Sequence, residues 1–188
     1  MRVDLEAVLK ILDKSGASAR PMRERIAKIA ELEEYTLLSP PYRPERAKEL
    51  LLAAQHAEML NFKFPREYVL FMQCCDGGWL FTNQIFSLDD EEDEDNDLIT
   101  ANMYYRDEDM IPEGAVAIGR TNYGAFIVIR PDKTMGLWDL EQESYIADYA
   151  DFYGWLDDAL NEAYYLLETD DLPVIEDMDD EDEECGDD

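Results

Sequence analysis

Phe64, Pro65, Arg66, Glu67, Tyr68, Val69, Leu70, Phe71, Met72, Gln73, Cys74, Cys75, Asp76, Gly77, Gly78, Trp79 is the run on which the fold turns. Phe64 to Glu67 open a helix, and Tyr68, Phe71, Met72 and Cys75 then recur three and four apart, which puts them on one face. Gly77 and Gly78 end it, because glycine accepts the positive φ of a helix terminus without a Cβ clash. The chain passes directly into Trp79 to Leu88, an aromatic and β-branched run that predicts a strand. A helix delivering straight into a sheet is the unit around which the rest is arranged.

Upstream the pattern is helical. Leu5, Val8, Leu9 and Leu12 predict a helix over residues 3 to 14, stopped by Gly16. Met22, Ile26, Ile29 and Ala30 predict a second after Pro21, ending before Ser39, Pro40 and Pro41. Pro44 begins a third, with Ala47, Leu50, Leu51, Ala54 and Ala57 as its apolar face. Downstream the pattern is extended. Ala115 to Ile118 and the continuously apolar Ala125 to Ile129 read as strands, the latter buried on both faces. Pro131 to Thr134 turn the chain into Met135 to Asp139, completing a hairpin, and Tyr145 to Tyr149 form a short edge strand. Phe152, Leu156, Ala159, Leu160, Ala163 and Leu167 define a closing helix. The expectation is an α+β fold: N-terminal helices, a central mainly antiparallel sheet, one C-terminal helix and a disordered acidic tail. Residues 1 to 169 read as a single domain, helical over 1 to 60, and 170 to 188 as the tail.

Charge is distributed as unevenly as structure. The formal net charge is -30, yet residues 1 to 60 hold ten Lys and Arg against ten Asp and Glu, so the whole excess lies beyond residue 60. Asp89 to Asp97 carries eight carboxylates in nine positions, and Asp170 to Asp188 twelve in nineteen. Such a field disfavours nucleic acid and anionic membrane and speeds encounter with basic proteins. With 46% hydrophobic residues, the acidity decorates a foldable chain. The adjacent Cys74 and Cys75, with Cys185 as third cysteine, do not suggest a disulfide framework. Charged residues near the N-terminus do not suggest a signal peptide, and a cytoplasmic setting is expected.

Catalytic and metal chemistry find little support. The one histidine, His56, has no evident nucleophile, and its bland reading is a surface or partly buried helix residue. Cys74 and Cys75 sit on an apolar helix before Asp76 and read as buried and inert, leaving Cys185 as the thiol expected to react first. An EF-hand loop started at Asp93 gains Asp95 and Asp97 but places Leu98 where glycine is needed and Tyr104 where a bidentate glutamate is needed. We therefore expect no catalytic residues, no metal site and no cofactor. Trp79, Trp138 and Trp155 read as core.

Four pieces in order resemble the signature of the SUKH superfamily: the Phe64 to Met72 helix through Asp76, Gly77 and Gly78; Ile85, Phe86, Ser87 and Leu88; Ile118 and Gly119, then Tyr123 to Ile129; and Gly136 to Asp139 followed by the aromatic helix from Asp151. The resemblance spans roughly residues 40 to 167 and departs at Ala125, where the family usually has an acidic residue. It implies binding rather than catalysis, since members include bacterial immunity proteins that neutralise toxins, often nucleases, and fungal regulators of cell-wall synthesis.

The combined expectation is a non-enzymatic module, a monomer or weak dimer, that captures a cognate basic protein toxin and binds neither nucleic acid nor membrane. The alternative is a regulatory scaffold that recruits several basic partners through insert and tail. The expected partner surface is Asp89, Asp90, Glu91, Glu92, Asp93, Glu94 and Asp95, with Tyr104 and Tyr105 as aromatic contacts and Tyr123 at the end of the sheet. For the tail, the bland reading is a solvated, solubilising segment.

Overall fold

Gly77 and Gly78 turn the chain from helix to sheet in a space with no room for a side chain. A Cβ on Gly78 would lie 2.1 Å from the Leu37 carbonyl oxygen, and the residue also takes φ +102°. The close approach exists because a strand the sequence did not announce, β1 (Thr36–Leu38), pairs with β2 (Gly78–Leu80), with Leu38 opposite Gly78. The computed structural model describes residues 3–14, 16–40, 44–56, 59–88 and 96–175.

The expected strand from Trp79 to Leu88 is a hairpin instead. It breaks at Phe81, which adopts φ 56° with its ring 2% exposed, and β2 folds back on β3 (Asn83–Ile85). Burial of the Phe81 ring fixes a backbone conformation that local preference opposes. Beyond it, β4 (Val116–Thr121), β5 (Phe126–Ile129), β6 (Met135–Asp139) and β7 (Ser144–Tyr149) follow. The seven strands lie in sequence order, every pair antiparallel. Gly119 admits the backbone of β3, since its Cβ would meet the Gln84 carbonyl oxygen at 2.2 Å.

Helices cover both faces of this sheet, as the four buried residues of β5 require. On one face lie α4 (Arg66–Cys74) and α6 (Phe152–Glu168), backed by α2 (Arg20–Glu31), on which α1 (Leu5–Lys14) packs; α3 (Pro44–Ala53) lies against α4. Tyr68, Phe71 and Trp155 each meet Phe152 edge-on or tilted with ring centroids 5.4–5.5 Å apart, joining α4 to α6. On the other face lies α5 (Leu98–Asp107), which the sequence reading left as loop. Tyr105 of α5 meets Phe126 of β5 at 4.9 Å, and on the same face Trp138 donates its indole N–H to the Met110 carbonyl at 3.1 Å.

α5 is held by an unusual buried residue. Asn102, 0% exposed, donates to the carbonyls of Leu98 (2.8 Å) and Ala117 (2.6 Å) and accepts from the Ala117 N–H (2.7 Å). β3 ends opposite Gly119, so Ala117 has no strand partner on that side, and the Asn102 carboxamide takes its place. Trp155 is buried as expected and Trp138 half-buried, but Trp79 is 38% exposed, because β2 lies near the end of the sheet with only the short β1 beside it.

The first residues of the segment assigned to the tail lie against the domain: Leu172 is buried and the Ile175 N–H bonds to the Glu34 carbonyl at 3.2 Å. The remainder of that segment, with Cys185, lies outside the described residues.

Candidate functional site

The expected carboxylates Asp89 to Asp95 lie outside the described residues, but the point from which they leave the fold does not. Ser87 accepts from the Leu98 N–H (2.7 Å) and donates its own N–H to the Asn96 carbonyl (2.8 Å), and the Gln84 amide donates to the Asn96 side chain (2.7 Å). Asp97 caps α5 by accepting from the N–H groups of Ile99 and Thr100. The acidic run therefore leaves and rejoins the sheet at one closed neck, with its last carboxylate committed to a helix terminus.

The three expected tyrosines are not brought together. Tyr104 on α5 is 54% exposed, beside the exposed Met103, and is available for contact. Tyr105 is a correction: at 1% exposure it belongs to the core, its hydroxyl accepting from Arg120, whose guanidinium sits among the rings of Phe86, Tyr105 and Phe126. Successive helical residues point about 100° apart, so one of an adjacent pair faces inward. Tyr123, 61% exposed, stands on the β4–β5 turn and belongs to the α6 side.

There Tyr123 joins residues that sequence reading passed over. A cleft of about 350 Å³ runs between the end of the sheet and α6. Its flanks are Tyr123, Tyr149, Asp158 and Glu162; Asn83 and Thr121 close one end, and Trp155 and Ala159 form an apolar floor. Thr121 shapes the turn, its hydroxyl accepting from the Ala125 N–H at 3.1 Å. The Tyr149 hydroxyl donates to Asp158 at 2.9 Å. Desolvation raises the phenols of Tyr123 and Tyr149 and the carboxyl of Glu162 above their ordinary values, and the charge of Asp158 adds to each. Burial and the charge of Asp158 thus oppose further negative charge at these three groups.

Elsewhere the chemistry is quiet. Burial pushes the Cys74 thiol up to about 12 and holds the Cys75 thiol well above its ordinary value; the Cys75 thiol donates to the Phe71 carbonyl at 3.5 Å. His56 is exposed just beyond the end of α3. Among the described residues, no group of three or more His, Cys, Asp and Glu is arranged to hold a metal ion, and no helix is long and apolar enough to cross a membrane.

Comparison with family models gives a match to the SMI1 / KNR4 family (SUKH-1) over residues 48–158. The chain belongs to this family. The SUKH match runs from α3 into α6 and so contains all of the sheet except β1, together with the neck of the acidic run and most of the cleft. No curated protein and no solved structure matches the chain. The SUKH family includes immunity proteins and regulators, and its repertoire is one of binding.

Proposed function

We propose that this SUKH protein is a non-enzymatic, cytoplasmic immunity protein that binds a cognate basic toxin and neutralises it, meeting it as a monomer or weak dimer. The observation that carries the reading is the placement of charge: the entire excess of carboxylates lies beyond residue 60, sixteen of it on residues 61–158 within the family match and fourteen on residues 159–188 after it. Exposed Tyr104 on α5, the Asp89 to Asp95 run at its neck and Tyr123 on the opposite side supply the kinds of side chain that anchor an interface within a charged rim. Complementary charge steers a basic partner, and apolar anchors then set how long it stays. The same field turns away nucleic acid and anionic lipid.

Coexpression with a protein encoded beside this chain, scored for rescue from that protein's toxicity, tests the reading. Cells survive only when the chain is present, and the two proteins elute as one complex. Replacing Asp89 to Asp95 by Asn and Gln weakens that complex, whereas deleting residues 176–188 leaves it. Absence of rescue, with several weakly bound basic proteins lost on tail deletion, would replace immunity by the scaffold reading.

A further inference from the structure

Among the described residues the two carboxylates of the cleft meet no cation, whereas Asp157, beside them on α6, does. Asp158 and Glu162 lie one helical turn apart on α6, a like-charged spacing that costs a helix stability. Among the described residues neither forms an ion pair. Their neighbour Asp157 is paired with Arg25, and Asp148 on β7 with Arg130.

Those two pairs share a plan. Arg25 lies over the ring of Tyr153 at 4.2 Å while bonded to Asp157, and Arg130 lies over Tyr145 at 3.8 Å while bonded to Asp148. Each is a tyrosine face and an aspartate closing on one guanidinium. The cleft brings together the same residue types, with Tyr149 hydrogen-bonded to Asp158, Tyr123 nearby and Glu162 one turn on, but among the described residues no arginine lines it.

A second feature points the same way. Asn83, 4% exposed and lining the cleft, has as its only side-chain hydrogen bond among the described residues a long one of 3.5 Å from Nδ2 to the Thr82 hydroxyl. Its carbonyl oxygen accepts from no group among the described residues. The site thus offers carboxylate oxygens, an amide oxygen and two aromatic rings around an apolar floor.

We propose that the cleft receives an arginine side chain of the basic partner. The guanidinium offers five N–H donors in a rigid plane, enough to reach the carboxylates and the Asn83 oxygen together, and its faces stack on tyrosine. Its methylene stem lies along Trp155 and Ala159. Lysine, a strongly hydrated point charge, satisfies fewer of these acceptors. This assignment rests on reading the chain as a binder of basic protein, and it names the contact that gives specificity within the general field.

The probe is Nα-acetyl-arginine N-methylamide, titrated into the isotope-labelled full chain and followed by NMR, with the lysine and citrulline analogues as controls. Saturable shifts at the Tyr149, Ala159 and Glu162 amides and the Asn83 side chain are expected, about tenfold weaker with lysine and absent with citrulline. The Asp158→Asn/Glu162→Gln double variant, which removes a repulsion and so keeps the fold, abolishes them, and Tyr123→Ala weakens them. Equal response to lysine, shifts scattered over the acidic surface, or binding unchanged in the double variant would overturn the assignment. In the coexpression assay the two readings separate. Rescue undiminished in the double variant overturns the arginine site and leaves immunity standing; no rescue by the wild type, with probe binding intact, refutes immunity and leaves the site.

Discussion

Replacing Asn102 by alanine tests whether a single carboxamide substitutes for the strand missing beside β4. The substitution strands the N–H and carbonyl of Ala117, itself 0% exposed, and removes the amide N–H that donates to the Leu98 carbonyl. A buried backbone group left without a partner costs about 1–3 kcal/mol. Two such groups give about 2–6 kcal/mol, and entry of water into the space left by the side chain holds the loss to the lower half of that range. Total stabilities are roughly 5–15 kcal/mol, so the variant folds but is severely weakened. For a chain of this length the melting midpoint falls by about 2–4 °C for each kcal/mol, read by circular dichroism, with urea unfolding supplying the free energy. Asn102→Asp is the sharper control. Its carboxylate still accepts from the Ala117 N–H but faces the Leu98 and Ala117 carbonyls without donors, so its folded pKa rises above the unfolded value. The resulting penalty is fully present at neutral pH and disappears as pH falls through that raised pKa. An alanine variant within about 1 kcal/mol of wild type, or an aspartate variant with no such recovery, would refute the account.

Four further outcomes follow from the same structure. Gly119→Ala drives a Cβ into the Gln84 carbonyl of β3 and lowers stability by at least about 3 kcal/mol, seen in the same urea titration. Under native conditions at pH 8, iodoacetamide leaves Cys74 and Cys75 unmodified, because burial holds both thiols protonated; mass spectrometry finds them labelled only after unfolding. Glu162→Gln stabilises the fold at pH 7 and loses that advantage below the ordinary carboxyl range, since a raised folded pKa makes the charged form the unfavourable one; pH-dependent melting curves show the crossing. Association with the toxin slows steeply with added salt, measured by stopped flow, and a rate independent of salt would remove electrostatic steering.

The parts of the fold legible in the sequence are those whose signals are local. Pro65 with Gly77 and Gly78 brackets α4, continuous apolarity marks β5, and the recurrence of Phe152, Leu156 and Ala159 marks α6. What escaped depends on distant neighbours. β1 is three residues long and exists because β2, some forty residues on, pairs with it. α5 was hidden by the residue that secures it: Asn102 sets a polar side chain on the buried face and breaks the apolar stripe. The hairpin at Phe81 lacks glycine because core burial dictates the turn. The cleft was only one-quarter visible on its flanks, through Tyr123. Asp158 and Glu162 carry no local signal that sets them apart on their helix, and Asn83 lies inside the run read as a strand, until the sheet brings β3, the β4–β5 turn and β7 alongside α6.

β7 ends the sheet, and among the described residues no strand lies beyond it, so its outer backbone groups are an open template that carries the exposed Ile146. Open edges of this kind recruit copies of themselves. Two copies approaching edge to edge each bring a formal charge of -30, and Glu141, Glu143 and Asp148 stand on or beside the strand itself. Acidity thus opposes such pairing at neutral pH, and that opposition drains away on acidification toward the sequence pI of about 4.1. Colloidal stability in this molecule is therefore a property of pH before it is a property of temperature.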